Sequence, residues 1–272
     1  MKTITIASLS GGQGKTTTAY FLARSLAENF RVLAVDADPQ ASLTFYLQHQ
    51  VEEDQPTLLE VLRKTVEVED GIYPTPTDNL FLIPADRALN QAQEYLAGSG
   101  AGALVLSRRL RDVQSLFDFC IIDAPPQETQ ICLSAIAAAD WLTIPIEATV
   151  KGANSLVFTL DAIAKLKDVA DYEGEILGIL PFRDRWFGYS QSKDCREALA
   201  AAKHIAEDIP FFPSVRESEQ IKKAMRFGDT LDENLNYPFA QMVEAIALLQ
   251  STVNHQQPSK DSKQSVVSSL GN

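Results

Sequence analysis

Gly11-Gly12-Gln13-Gly14-Lys15-Thr16-Thr17 sits between a short β-branched apolar run and a helix-like stretch, and this leaves the chain few ways to fold. Thr3–Ala7 (TITIA) reads as a buried strand, and Lys15 to about Glu28 as a helix. A glycine loop between strand and helix turns backbone N–H groups inward, where they cradle phosphate oxygens. The helix N-terminus adds the positive end of its dipole. Lys15 reaches β- and γ-phosphates in such a loop, the Thr16 hydroxyl ligates Mg²⁺, and Thr17 reaches an α-phosphate. A surface turn with a solvated lysine is the plain alternative, and the strand–loop–helix setting weighs against it.

The rest of the chain repeats the alternation. Arg31–Val35 reads as a second buried strand ending at Asp36, followed by helix-like Pro39–Gln48 and Leu58–Arg63. Gly71–Asn79 reads as a loop, Leu80–Ile83 as a strand and Arg87–Leu96 as a helix. Gly98–Gly102 breaks the chain before a helix over Leu104–Leu116. Phe117–Ile122, ending at Asp123, and Trp141–Ile146 are strands, and Lys151–Asp168 is a long amphipathic helix. Then come strand Ile176–Pro181, helix Cys195–Ala206, short strand Ile209–Phe212, helix Ser218–Arg226 and closing helix Pro238–Leu249. This order predicts an α/β fold, a single doubly wound, mostly parallel sheet with helices on both faces. Residues 1–250 form one domain in this reading, and the Ser/Gln-rich residues 251–272 a polar, disordered tail.

Composition removes several classes. Three cysteines, Cys120, Cys132 and Cys195, without a CxxC pair argue against a disulfide framework or a zinc site, and for a reducing compartment. The most apolar stretch, Leu133–Ile146, is interrupted by Asp140 and Pro145, so a membrane span is not expected. The N-terminus reads as a strand rather than a signal peptide. Net charge is −12, yet unevenly spread. Residues 1–180 hold 13 Lys and Arg against 24 Asp and Glu, whereas residues 181–226 hold 9 against 7.

A full Walker A motif wants Gly at position 9, where this chain has Leu9. The residues SGGQGKTT instead resemble the deviant Walker box of the ParA/MinD family of ATPases. Val35-Asp36-Ala37-Asp38-Pro39-Gln40 resembles that family's DxDPQ segment, and Ile121-Ile122-Asp123-Ala124-Pro125-Pro126 its IIDxPP segment. Thr143–Glu147 is similar to its fourth landmark, and the order and spacing match over about residues 1–250. The resemblance implies ATP and Mg²⁺ as cofactors and hydrolysis of ATP to ADP and phosphate. Asp123 would be the Walker B acid holding a metal-bound water, Asp36 would support the same metal shell, and Asp38 would orient the attacking water. Pro125-Pro126-Gln127 would sense the γ-phosphate. These three aspartates also sit at predicted strand C-termini, the ligand-binding edge of a doubly wound sheet. Phe182, Arg183 and Pro210 are candidates for the adenine site, although Phe182 and Phe211 fit a core position equally well.

One departure stands out. The family's signature lysine, which crosses a dimer interface to the partner's phosphates, belongs at position 10, and here it is Ser10. Lys151, at the start of a helix, is the candidate replacement, since a cation there opposes the helix dipole unless an anion sits nearby. Ser10 with a later lysine is similar to the branch of the family that positions carboxysomes. That resemblance implies a homodimer in the ATP state, non-specific binding to nucleoid DNA in the cytoplasm, no membrane, and a small adaptor on the cargo that stimulates hydrolysis. Arg216, Lys222, Lys223 and Arg226 are the candidate phosphate contacts, with Lys193, Arg196 and Lys203 as weaker ones. A plasmid or chromosome partition ATPase is the near alternative. A MinD-like membrane ATPase, a metabolic P-loop ligase and an iron–sulfur carrier are further ones.

Overall fold

A computed structural model describes residues 1–170 and 172–256. The chain begins β1 (Lys2–Ile6), α1 (Lys15–Ala27), β2 (Val32–Asp36), α2 (Ser42–Tyr46), α3 (Leu58–Arg63) and β3 (Tyr73–Pro74). It continues β4 (Leu80–Ile83), α4 (Ala92–Gly98), α5 (Val105–Asp112), β5 (Phe119–Asp123), α6 (Gln130–Ala137), β6 (Trp141–Glu147) and α7 (Val150–Ala170). It closes with β7 (Glu175–Asp184), β8 (Trp186–Phe187), β9 (Ser190–Gln191), α8 (Lys193–Ile205), β10 (Val215–Arg216), α9 (Glu219–Phe227) and α10 (Glu233–Gln256).

Eight strands form one sheet in the order β10-β7-β6-β1-β5-β2-β4-β3, parallel except for β3 at one edge. The doubly wound architecture expected from the alternation is the one observed. Successive residues of a strand face opposite sides, so a sheet covered on both faces needs apolar residues throughout. Val32 and Ala34 of β2 join the layer of α1, α2, α9 and α10, while Leu33 and Val35 join the layer containing α3 to α8. Phe119 and Ile121 of β5 divide from Cys120 and Ile122 in the same way.

Prolines explain two differences from the sequence reading. Ile209–Phe212 does not form a strand: only Phe211 bridges Ile179, and the ladder resumes at β10, where Val215 pairs with Phe182. Pro210 and Pro213 bring no N–H to a ladder, which limits pairing to that one bridge. Within Gly71–Asn79, Tyr73 and Pro74 pair with Leu82 and Phe81, an edge position where proline is tolerated. Helix α6, capped by the Thr129 side chain on the Cys132 amide, follows β5 where the sequence suggested no element. Helix α10 starts five residues before Pro238, because Leu235 and Phe239 carry its buried stripe across the proline. The expected tail begins inside this helix, which runs to Gln256, and residues 257–272 lie outside the described residues.

Phe239 is fully buried and its ring centroid lies 5.0 Å from that of Phe21 on α1, so α10 is fastened to the first helix by an aromatic contact. Phe239→Ala is expected to cost about 3–5 kcal/mol of unfolding free energy. Urea denaturation reads it, and a loss below about 1 kcal/mol would show that α10 is not part of the cooperative core.

Candidate nucleotide site

Strand register builds the site. Ile6 and Asp36 both pair with Asp123, so the carboxylates of Asp36 and Asp123 leave neighbouring strands at one level. The glycine loop leaves β1 beside them. The chain fills one side of β1 with β5, β2 and β4 and the other with β6 and β7, so this edge is also where the winding reverses.

In the loop, Gly12 and Gly14 lie at φ +84° and +95°, in the left-handed region. A Cβ on Gly14 would sit 2.5 Å from the Phe182 ring, so glycine is required there for space as well as for conformation. Two cations rest on loop carbonyls. Lys15 Nζ donates to Ser10 O at 2.9 Å, and Lys151 Nζ, from the first turn of α7, donates to Gly11 O at 3.1 Å. Lys15 is only 7% exposed, and burial holds its ammonium below its ordinary value against the opposing pull of Asp123. Gln13 is buried, and its Oε1 accepts the Glu147 amide at 2.8 Å, tying the loop to the end of β6. Glu147 pairs with Arg183 at 3.4 Å, and the Arg183 guanidinium lies beside Gly12. Arg183 itself sits at φ +54°, a strained backbone for a long side chain.

The acids are unevenly satisfied. Asp36 accepts from the Thr44 amide and the Thr44 hydroxyl, both at 2.8 Å, and from the Asp38 amide at 3.1 Å. Burial nonetheless pushes its carboxyl up to about 6. Asp123 accepts the Thr16 hydroxyl at 2.6 Å, while its Oδ1 is buried without a hydrogen-bond partner among the described residues. Burial first, and Asp36 second, hold Asp123 well above the ordinary carboxylate range. Asp38 caps its own turn, accepting the Gln40 amide at 2.9 Å. Cys132, also buried close by, has its thiol pushed up to about 12 by burial, so it remains a neutral S–H.

Among the described residues no three His, Cys, Asp or Glu side chains are grouped to hold a metal. The donor set suits Mg²⁺, a hard ion that takes one or two protein oxygens and completes its shell with phosphate and water. Thr16 Oγ1 and the orphaned Asp123 Oδ1 are such oxygens, with Asp36 behind them.

Lys15, Thr16, Asp36, Asp38 and Asp123 thus converge as the sequence predicted, and Phe182, Arg183 and Lys151 border the same loop. Phe182 serves as core and as the loop's wall together. Pro210 does not join them: its carbonyl takes the Ile179 amide at 2.8 Å, three residues below Phe182 along β7. Arg216, Lys222, Lys223 and Arg226 are exposed on β10 and α9. Lys222 pairs with Glu219 at 2.8 Å and Lys193 with Glu197 at 3.7 Å, exposed contacts of small energetic weight. Lys203 lies over the Phe211 ring, and Arg196 is exposed on α8. Thr44 was missed: it meets Asp36 through the fold, and no local motif announces it. Glu147 was read only as the end of a landmark strand, and its bonds to Gln13 and Arg183 come from the fold.

Two outcomes follow from this geometry. Below about pH 4 the Asp36 carboxyl is protonated in folded and unfolded chains alike, and above its folded value of about 6 it is ionised in both. Between these limits the folded chain holds the extra proton, so stability without nucleotide falls as pH rises through the window. Asp36→Asn removes this dependence. The wild-type stability relative to the variant should drop by on the order of 2–3 kcal/mol from pH 4 to pH 7 in chemical denaturation. Parallel curves would refute the assignment. Gly14→Ala is expected to weaken ATP binding about tenfold or more by calorimetry. Adding Phe182→Ala should recover only part of that loss, since the φ strain remains.

A family model described as an AAA domain matches residues 1–171. The chain is 53% identical over 251 residues to maintenance of carboxysome distribution protein A of Synechococcus elongatus, covering 90% of this chain and 99% of that protein. It is 51% identical over 254 residues to the protein of the same name from Gloeothece citriformis, covering 92% and 98%. The ATP complex of the D38A variant of Cyanothece McdA superposes with a TM-score of 0.89 at 51% identity, covering 91% of this chain and 96% of that one. A glycine loop at the start of the first helix, two buried aspartates in strand register and this degree of likeness lead to one conclusion: the chain belongs to the ParA family of deviant Walker ATPases, is similar to maintenance of carboxysome distribution protein A, and is an ATP hydrolase.

Proposed function

We propose that this ATPase is a nucleotide-driven positioning switch: it dimerises with ATP, rides non-specific nucleoid DNA in that state, and distributes carboxysomes through an adaptor that triggers hydrolysis. The observation that carries this reading is the parking of Lys15 and Lys151 on adjacent carbonyls of one phosphate loop. Both are neutral acceptors, and an incoming triphosphate offers each cation a stronger, charged one.

In this reading the backbone N–H groups of Gly11 to Thr17 cradle the phosphates, and Lys15 turns from Ser10 to the β- and γ-oxygens. Thr16 and Asp123 hold Mg²⁺, with Asp36 supporting them. The ion, when bound, neutralises charge between the β- and γ-phosphates. Asp38 orients the attacking water in line with the γ-phosphorus. A Cyanothece relative with D38A was obtained with ATP, in keeping with that role. Pro125 to Gln127 read the γ-phosphate, and Phe182 and Arg183 border the nucleoside. Lys151 supplies the cation that Ser10 lacks. It is exposed on the first turn of α7, beside Val150, which is 72% exposed, and Phe158, which is 62% exposed. An apolar face of this kind next to the loop suits a second copy of the chain, whose phosphates Lys151 would then reach. Arg216, Lys222, Lys223 and Arg226 carry the DNA contacts. Among the described residues no helix is long and apolar enough to cross a membrane.

Binding to mixed-sequence duplex DNA with Mg-ATP, with Mg-ADP and without nucleotide, over a salt series, tests the reading. Binding is expected with ATP alone, falling linearly in log affinity against log salt. Lys222→Ala and Lys223→Ala should each reduce the slope by about one. Lys151→Ala should keep ATP binding yet lose ATP-dependent dimerisation and DNA binding together. Absence of DNA binding in every state would overturn the nucleoid-based reading.

A further inference from the structure

Between β7 and α8 the chain makes an excursion that the nucleotide site does not use. β8 and β9 pair as a hairpin, Trp186 with Gln191 and Phe187 with Ser190. Gly188, at φ +60°, permits the turn. The tip is aromatic and bare: Phe187 is 75% exposed and Tyr189 fully so.

Its base, by contrast, is fixed. The buried Asp184 carboxylate accepts from Trp186 Nε1 at 2.8 Å, from Gln191 Nε2 at 2.9 Å and from Ser214 Oγ at 2.6 Å. One acid thereby ties both hairpin strands to the segment entering β10. The Ser192 amide closes the base on Arg185 O at 2.8 Å. Two aromatic rings held in water on a rigid support mark a contact surface rather than a loose loop.

The surroundings say what kind of contact. The Arg216 guanidinium stacks on the Trp186 ring at 4.6 Å, and Arg185, Lys193 and Arg196 are exposed around the hairpin, with Asp194, Glu197 and Glu217 among them and Lys193 paired to Glu197. Arg216 leads into α9, whose Lys222, Lys223 and Arg226 are exposed while Ile221, Ala224 and Met225 are buried. The hairpin therefore projects from residues 181–226, in which bases outnumber acids 9 to 7. Cations beside unpaired aromatic rings match a polyanion that also presents flat π-faces, which is nucleic acid.

We propose that Phe187 and Tyr189 form a wedge that enters a groove of duplex DNA and stacks on its bases, while Arg216 and the α9 cations hold the phosphates. This inference rests on the DNA-binding reading above and adds to it a sequence-blind, salt-insensitive component. A wedge of this kind partly unstacks a base step, and its contribution depends on apolar contact rather than on counterion release.

The experiment uses the full chain with Mg-ATP and a mixed-sequence duplex carrying 2-aminopurine. Phe187→Ala with Tyr189→Ala should weaken binding about tenfold at fixed salt with an unchanged salt slope, and should abolish the 2-aminopurine fluorescence increase. Tyr189→Phe should behave as wild type, because stacking needs the ring and not the hydroxyl. Both positions are exposed, so melting temperatures should match. If the wild-type chain binds no DNA in any nucleotide state, the underlying reading fails and the wedge with it. If it binds and the double variant retains both affinity and fluorescence, the wedge alone is overturned. Loss of ATP-dependent dimerisation in the double variant, seen by light scattering, would make the hairpin a subunit contact and also overturn it.

Discussion

Two buried carboxylates, side by side at the ends of adjacent parallel strands, are the feature around which the rest of this structure is arranged. Strand register leaves no freedom in the matter: β2 and β5 pair so that Asp36 and Asp123 share one level. Taking both out of water is costly, and Asp36 adds to the cost of ionising Asp123. The chain compensates Asp36 with three hydrogen bonds and Asp123 with one, and places the Lys15 ammonium nearby. The balance without ligand is incomplete, as the orphaned Asp123 Oδ1 shows. A divalent cation with a phosphate group, as in the proposed function, would complete it.

The same acid reaches into the fold on the far side. Thr44, which binds Asp36 with both amide and hydroxyl, also accepts the Ala85 amide at 3.0 Å, so the start of α2 and the chain after β4 are fastened to the metal edge. A second connection runs along α1. Arg24, nine residues beyond Lys15, donates to Tyr20 Oη at 2.6 Å and to Gly228 O at 2.8 Å. Gly228 is the left-handed C-cap of α9, the basic helix. The helix that begins at the phosphates therefore grips the end of the helix that carries Lys222, Lys223 and Arg226. Under the proposed function, a nucleotide would alter DNA affinity only by favouring one arrangement of these contacts over another.

What the sequence made legible was whatever is local in the chain. TITIA, the glycine loop and Lys15–Glu28 are contiguous, and strand–loop–helix follows from periodicity and glycine alone. Asp36 and Asp123 were legible because each ends an apolar run, and parallel strands deliver their ends to one edge. What stayed hidden is held together across long sequence distances. The Gln13–Glu147 bond joins residues 134 apart, and Thr44 finds Asp36 through the bend between β2 and α2. The tip of the β8–β9 hairpin, two residues per strand, is too short to show an alternating pattern. Pro210 misled because an apolar, proline-bounded stretch says nothing of its height on the sheet. That height is fixed by the pairing of Phe211 with Ile179.

Charge distribution bears on how an acidic chain would meet the anionic partner of the proposed function. The net charge of −12 acts at long range, but at physiological salt the field of exposed charges is screened within about 8 Å. Inside that distance the partner meets only the local surface. In residues 181–226 one acid, Asp184, is buried and spent on the hairpin base, whereas Asp194, Glu197, Glu207, Asp208, Glu217 and Glu219 are exposed along with Arg185, Arg216, Lys222, Lys223 and Arg226. These exposed acids keep the basic surplus small, with Glu219 paired to Lys222 and Glu197 to Lys193. Weakness suits a switch. A strongly basic face would bind DNA in every nucleotide state, whereas a sparse one held by a single chain falls short until a second copy doubles it. Under the proposed function, the modest charge of this surface and the need for a second copy would be two sides of the same requirement.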